Sequence, residues 1–348
     1  MSDQKLVDSF NLPLPLLAVL GEDNYSKEGA DFSVTELSIP VLVRALNTRY
    51  GDQVTKEASE RIYMLFGKIV HQILENAVKI LAEKNVTGRW TAIEEVLYSF
   101  ASGDVASDSL HEAIALAVLE SNKEYVWDHH GLLFEKRFFA DIPTKYGTKK
   151  VSGQVDLYDR SGLITPDRVL NDYKVCSVFA MKSLKDEWVA QGNRYRYLLH
   201  VNGLETDRVI FHPIARDWVK RKAMFERGYP KQQTDQMEIP LWSLDQTLED
   251  MIKRIEAHIE AEEMSDENIP LCTPEERWTK EEHWAVMKKG RATAIIRCDS
   301  PGEAHAWINK NQKPKEVLYV EHRPGVNTRC QLYCDVANFC TLGRKEKQ

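Results

Sequence analysis

Apolar residues recur at three- and four-residue intervals from Glu57 to Lys84, in "EASERIYMLFGKIVHQILENAVKILAEK", with no proline between them. That period predicts one long amphipathic helix over 57–84. More helix is expected at 91–101 and 108–123. Upstream, residues 1–30 read as irregular, and "FSVTELSIPVLVRALNTRYG" (32–51) offers Ser or Thr as the cap of a short amphipathic helix. At about residue 131 the period shortens to two. "GLLFEKRFFADI" (131–142) reads as a strand. "KKVSGQVDLYDR" (149–160) and "DRVLNDYKVCSV" (167–178) alternate on either side of Ser161-Gly162 and read as an antiparallel hairpin. A helix over 184–203, ending at Gly203, and a strand over 207–215 complete this region. The expected class is α/β, with a central mixed sheet flanked by helices and a helical N-terminal part.

An acidic helix is expected at 244–263. Beyond it, "TPEERW" (273–278) has a Thr cap, Pro at the first helical position and Glu three residues after the cap. "HWAVMKKG" and "RATAIIRCD" read as a strand pair, "SPGEAHAWINK" as a capped helix and "EVLYVEHR" as a further strand, which makes a small β-β-α-β unit. Four segments follow: 1–55 packing on the core, a core at 56–243, an acidic connecting helix at 244–271, and a C-terminal unit at 272–348.

Composition changes this picture little. The 348 residues are 43% hydrophobic and 28% charged, as in ordinary globular proteins. The apolar stretch at 12–20 is short and broken by Pro13 and Pro15, and Asp3 and Asp8 precede it where a secretory signal would be basic. No membrane span is expected, and a cytoplasmic location is. The net charge of −7 does not advertise nucleic-acid binding. Locally, "RDWVKRKAMFERGYPK" (216–231) sets six Lys or Arg against two acids and interleaves Trp218, Phe225 and Tyr229. Cations mixed with aromatics suit a phosphate backbone with stackable bases, so Arg216, Lys220, Arg221 and Lys222 form a candidate DNA-contact patch; a solvated surface is the plainer alternative. The basic run "KYGTKK" (145–150) reads as a hairpin tip.

Candidate chemistry centres on "NDYKV" (171–175). Residues two apart on a strand share a face, so Asp172 and Lys174 point the same way, and the hairpin brings Asp156 beside Asp172. Two carboxylates that close repel unless a cation lies between them, and Mg²⁺ or Mn²⁺ prefers such oxygen ligands. The Tyr173 carbonyl could add another oxygen. Lys174 could orient a water or offset charge developing on a phosphate. An exposed salt bridge would use the same three residues. On the long helix, Gly67, His71 and Glu75 lie on one face; His71 could be a structural hydrogen-bonding residue or a further metal ligand. Gln191 and Tyr195, one turn apart, can reach a phosphate or a base edge.

The ordered set "GKIVHQILE", "GQVD", "DYK" and "QGNRY" resembles the PD-(D/E)XK nuclease superfamily, and within it the branch of RecB-type domains and CRISPR-associated adaptation exonucleases. The match covers residues 67–195, and "FSVTEL" is similar to the opening of phage-type members. Two departures stand out: Asp172 where the wider superfamily has Glu, and Val155 where the namesake proline would precede Asp156. The resemblance implies a restriction-endonuclease-like core. It makes His71, Asp156, Asp172 and the Tyr173 carbonyl metal ligands, Lys174 the catalytic lysine, Gln191 and Tyr195 substrate-positioning residues, and Glu75 and Glu135 supporting acids. The implied activity is Mg²⁺- or Mn²⁺-dependent DNA hydrolysis, by an exonuclease more than an endonuclease, in recombination, repair or end processing. DNA is the implied partner, with a recombination or annealing protein as a further one, and host cytoplasm the location if the chain is phage-encoded. Lys174→Ala is expected to abolish cleavage and leave the fold intact. A DNA-binding module without cleavage, or a zinc-stabilised structural protein, are the alternatives.

Six cysteines are present, three of them in "CQLYCDVANFC" with spacing C-x3-C-x5-C. Such crowding points to metal more than to an inert core. Cys272 is the expected fourth ligand beside Cys330, Cys334 and Cys340, because it closes the β-β-α-β unit into a loop. Cys298 and Cys176 read as structural. Four thiolates suit an iron–sulfur cluster or zinc alike. Some nucleases of the resembled branch hold a [4Fe–4S] cluster, which tips the expectation that way; their tail reads C-x2-C-x5-C and their distant cysteine precedes the core, so the likeness is partial.

Overall fold

The computed structural model describes residues 5–21, 26–73, 132–160 and 167–346. Glu75, the expected helices at 91–101 and 108–123, and the part of the long helix beyond residue 73 lie outside the described residues. The chain divides into two compact units, one of 8–38 and 57–256, the other of 1–7, 39–56 and 257–348.

The larger unit is built on a mixed six-stranded sheet. Its strands are β1 (Phe32–Ser33), β2 (Leu132–Thr144), β3 (Gly147–Asp159), β4 (Val169–Cys176), β5 (Arg208–Ala215) and β6 (Met237–Glu238). They run in the order β1-β3-β4-β5-β6, with β2 paired to β3. The described helices of this unit include α1, over 62–73, α2 (Asp186–Val201) and most of α3 (Leu244–Glu263). β2 and β3 form a long hairpin, in register from Leu132↔Asp159 to Thr144↔Gly147, which turns at 145–146 with Gly147 in the left-handed region. β3 also pairs antiparallel with β4 through Leu157↔Asn171. The hairpin read from the sequence is therefore present, but the longer pairing is the one with β2.

β4 and β5 are parallel, and α2 makes the crossover between them. Parallel neighbours need such a connection, and the buried apolar runs of both strands are what parallel central strands require. Leu198 and Leu199 of α2 are fully buried, as are Val209 and Phe211 of β5. Gly192 lets α2 approach, because a Cβ there would stand 3.0 Å from Val209 Cγ1. Two polar residues of α2 are buried with their partners. Asn193 receives the Trp242 N–H at 2.8 Å and donates to the Pro240 carbonyl at 3.0 Å. Arg194 pairs with Asp250 of α3 at 2.7 Å and donates to Ser38 Oγ at 3.0 Å.

Three expectations are corrected here. Residues 1–30 are not irregular throughout: Lys5–Val7 is a strand and Leu14–Gly21 a helix. Pro13 and Pro15 sit at the start of that helix, where no intrahelical N–H partner is needed, and the Pro13 carbonyl accepts from Leu16 and Leu17. The short helix expected within 32–51 is Val41–Tyr50, but its cap position is Pro40 and no Ser or Thr caps it. Phe32–Ser33 instead pairs parallel with β3. Ser33 and Glu36 exchange hydrogen bonds around a short 3₁₀ turn, and Pro40 disfavours helical geometry at Ile39. "TPEERW" forms its reciprocal Thr273–Glu276 bonds at 2.9 and 3.2 Å, yet they close only turns and no helix follows.

In the smaller unit, β7 (His283–Lys288), β8 (Ile296–Cys298) and β9 (Leu318–Arg323) make an antiparallel sheet in the order β8-β7-β9. Helix α4 (Pro301–Asn311) packs on it through Ala304 and Ile308, against Val286 and Cys298. This is the expected β-β-α-β unit, and Cys298 is one of its core residues. The segment boundaries differ from those read in the sequence. Helix Val41–Tyr50 buries Leu42, Ala45 and Leu46 against Ala261, Ile269 and Val336. Tyr50 stacks on Phe339 at 4.6 Å. Apolar periodicity gives a helix a face to bury, but not the address of its partner, and residues 39–56 join the C-terminal unit for that reason. Among the described residues, no helix is long and apolar enough to cross a membrane.

Candidate active site

A cleft of about 500 Å³ in the larger unit is lined by His71, Glu135, Asp156, Asp172, Lys174, Gln191 and Tyr195. Candidates from five elements thus meet in one place. His71 comes from α1, Glu135 from β2, Asp156 from β3, Asp172 and Lys174 from β4, and Gln191 and Tyr195 from α2.

Within the cleft, His71, Glu135 and Asp156 each offer a ligand atom, and these atoms lie within 4.8 Å of one another. Among the described residues this is the one group of three or more His, Cys, Asp or Glu so close together. His71 Nδ1 lies 3.1 Å from Glu135 Oε1 and 3.6 Å from Asp156 Oδ1. Glu135, which the resemblance makes only a supporting acid, therefore belongs to the tightest group. Asp172 stands just outside it, with Oδ2 paired to Lys174 Nζ at 2.6 Å. Tyr173 donates its backbone N–H to Asp156 Oδ2 at 2.7 Å, which fixes one oxygen of that carboxylate.

The electrostatics are those of crowded, partly buried carboxylates. Burial pushes the Asp156 carboxyl up to about 7, and the neighbouring Asp172 charge adds to the shift, while His71 and Lys174 oppose it. His71 is raised by its hydrogen bond to Glu135, against the opposing effect of burial, with Asp156 contributing further. Burial opposes the Lys174 ammonium, but Asp172, Tyr195 and Asp156 together outweigh it and the group stands at about 12. Lys174 is thus cationic at any physiological pH and can donate but not accept. Two carboxylates and an imidazole gathered around one point, with a carboxyl reluctant to ionise alone, are a donor set that fits a hard divalent cation.

The helix side of the cleft is held by shape. A Cβ on Gly153 would lie 2.7 Å from Tyr195 Cε1 and from Leu198 Cδ1. Gln191 Nε2 lies 3.3 Å from the Tyr195 hydroxyl, and burial pushes that hydroxyl up to about 12. Gln154 and Trp188 also line the cleft, and neither stands out in the sequence. The position of Gln154 in "GQVD", two residues before Asp156 on the same strand face, is the available signal.

The basic patch begins where β5 ends. Arg216 N donates to the Cys176 carbonyl at 2.9 Å, so the patch starts level with the end of the strand that carries Lys174. The Arg216 guanidinium lies 4.3 Å from the Tyr63 ring, and Lys222 lies 5.7 Å from that of Tyr229. Lys220 and Arg221 are exposed.

The four tail cysteines gather in the smaller unit. Cys272, Cys334 and Cys340 pack against the Leu46–Val336 cluster, and Cys330 is buried beside them. Burial pushes the Cys272 thiol up to about 12, with Cys334 and Cys330 among the charges that raise it further. Cys330 is likewise raised by burial and then by Cys334 and Cys340. All six cysteines are free thiols. A tetrahedral zinc site with Zn–S of ~2.3 Å brings thiolates to within ~3.8 Å of one another. No three of the described sulfurs lie within 4.8 Å of one another.

No family model matches this chain, and no curated protein does. Among solved structures, the crystal structure of SSO0001 is similar at 15% identity, over 69% of this chain and 84% of that one, with a TM-score of 0.32. A likeness that weak supports no conclusion about fold or activity. The architecture stands on the chain's own geometry: a mixed α/β protein with a mixed sheet flanked by helices.

Proposed function

We propose that this chain is a Mg²⁺- or Mn²⁺-dependent DNA nuclease with a restriction-endonuclease-like core, acting as an exonuclease in recombination, repair or DNA-end processing. The observation that carries this reading is the His71–Glu135–Asp156 group beside the Asp172–Lys174 pair in a single cleft. A divalent cation there supplies Lewis acidity and a more acidic bound water. His71, Glu135 and Asp156 would hold it, and Asp172 and the Tyr173 carbonyl, implied ligands by resemblance, are its neighbours.

The chain's own groups then divide the work. Lys174, held as an ammonium, orients a water and stabilises charge developing on the phosphate. The Tyr195 hydroxyl and the Gln191 amide, on α2, are donors for phosphate oxygens. Arg216, Lys220, Arg221 and Lys222 extend positive charge away from the cleft along the path a strand would take. A recombination or annealing protein fits the same reading as a partner. The thiols of Cys272, Cys330, Cys334 and Cys340 are proposed to hold a [4Fe–4S] cluster in preference to zinc. Its role would be structural, since hydrolysis needs no electron transfer.

Labelled single- and double-stranded DNA incubated with Mg²⁺, Mn²⁺ or EDTA tests the reading. Metal-dependent release of nucleotides, lost in Asp156→Asn, is the expected result. Binding without cutting would point to a DNA-binding module, and neither binding nor cutting would overturn the reading.

A further inference from the structure

Glu135 reaches the cleft by an irregularity in the β2–β3 ladder. The register runs Phe134↔Leu157 and resumes at Lys136↔Val155, leaving Glu135 and Asp156 out of the pairing. Glu135 has φ of 44°, in the left-handed region that a side chain rarely adopts. Such a conformation persists only where its surroundings over-determine it.

Gln154 is what holds it. Its Nε2 donates to Glu135 Oε2 at 2.7 Å, and its Oε1 accepts from Arg137 Nη2 at 2.9 Å. Only one orientation of the amide serves both a carboxylate and a guanidinium, so the charges on either side fix it. Arg137 is itself tied to Ser152 Oγ at 3.2 Å. The chain of bonds thus runs from Arg137 through Gln154 to Glu135, and from Glu135 Oε1 to His71 at 3.1 Å.

The two oxygens of Glu135 therefore have different fates. Oε2 is occupied by the Gln154 amide, and Oε1 faces His71 and Asp156. We propose that Gln154 is a positioning residue that turns a single Glu135 oxygen, Oε1, toward His71 and Asp156, and so makes the site selective for small octahedral cations over Ca²⁺. A carboxylate oxygen held by a hydrogen bond is the poorer ligand of the two, which disfavours bidentate binding. Mg²⁺ and Mn²⁺ accept that geometry, whereas Ca²⁺ takes six to eight oxygens and gains from bidentate carboxylates. This rests on the reading of the cleft as a metal centre and deepens it, because it assigns the basis of metal choice to a residue outside the ligand set.

The test is metal binding by the purified full-length chain, without DNA. Mn²⁺ affinity is measured by electron paramagnetic resonance, and Ca²⁺ by competition against it. Gln154→Met keeps the volume and removes both bonds; Gln154→Glu keeps an acceptor for Arg137 but turns an oxygen toward Glu135. In both variants Mn²⁺ affinity is expected to fall about tenfold, the scale found when residues supporting a ligand are removed. The Ca²⁺-to-Mn²⁺ affinity ratio is expected to rise about tenfold in Gln154→Met. Thermal melting checks that both variants are folded; if Gln154→Met is not, the same ratio is read in Arg137→Met, which frees the amide from its far side. A general loosening would lower both affinities and leave the ratio unchanged, and an unchanged ratio overturns the proposal. Asp156→Asn is the separate control: if it binds Mn²⁺ as the wild type does, the metal-centre reading itself falls, however Gln154→Met behaves.

Discussion

The ring of Tyr195 lies against the bare Cα of Gly153, close enough that one added methyl would stand 2.7 Å from Tyr195 Cε1. The two residues belong to different motifs, "GQVD" and "QGNRY", and this contact is the physical link between them. Gly153→Ala is expected to push α2 off the sheet and destabilise the protein by about 1–3 kcal/mol, the usual range for overpacking. Urea denaturation reads the loss. Unchanged stability of Gly153→Ala would show that the contact is unimportant.

The acidic cluster gives the metal-free protein a definite pH dependence. Asp156 has its folded-state value raised to about 7 from an ordinary 3.8. Between those limits the folded chain binds more protons than the unfolded one, so stability falls as pH rises. His71 is also raised, so its contribution is present below its ordinary 6.5 and is lost as pH climbs through the folded value. Both act in the same direction. In EDTA, the melting temperature should drop from pH 5 to pH 8, and Mn²⁺ should restore it at pH 8. Asp156→Asn should exceed the wild type at pH 8 by about 1–3 kcal/mol, and by little at pH 5. A flat profile in the wild type would refute the electrostatic account.

Lys174→Ala, expected from sequence to spare the fold, is now expected to weaken it. Its partner Asp172 is only 3% exposed, and removing one member of a buried pair strands the other. The loss should be about 3 kcal/mol at pH 8. Asp172→Asn with Lys174→Met should recover much of that stability while cleavage stays absent. Guanidinium melts of these variants, beside a cleavage assay, separate the structural from the chemical role.

The thiol cluster predicts an unequal response among the cysteines. Cys272→Ala and Cys334→Ala should each lose bound metal and lower the melting temperature by several degrees. Cys176→Ala and Cys298→Ala should keep the metal. Because burial holds Cys272 at about 12, the thiol must give up its proton on binding, so uptake should release protons and tighten with pH. Iron and zinc analysis of anaerobically purified protein checks both claims; zinc without iron would dismiss the cluster.

Charge at the basic patch should be felt in binding and not at the metal centre. Replacing Lys220, Arg221 and Lys222 together by Ala should weaken DNA binding and reduce the slope of log K against log salt by ~0.7–0.9 for each phosphate that is no longer neutralised. Mn²⁺ affinity should stay at the wild-type value. An unaltered salt slope would show that the patch is solvated surface.

Spacing placed Asp172 with Lys174 on one face of a strand and Gln191 with Tyr195 on one face of a helix, while the grouping of these residues with His71 and Asp156 was implied by the resemblance. Two apart on β4, and four apart on α2, leave little choice. Glu135 is harder to rank because its backbone leaves the strand conformation, and alternation in "FEKRFF" cannot report a skipped pair. Gln154 does not stand out because an amide carries no charge to attract notice. Its importance lies in the two charged groups it connects, Glu135 and Arg137. The separation of 39–56 from 8–38 was hidden for another reason. Apolar spacing shows that Leu42 and Leu46 are buried, while the partner, at Ala261 and Val336, is far away in the chain.

One last property of the hairpin concerns the order of assembly. Glu135 and Gln154 are separated by 19 residues and joined across one tight turn, whereas His71 and Glu135 are 64 apart. Short loops close with less entropic loss and therefore earlier. The carboxylate half of the site can be complete while α1 is still searching for its place.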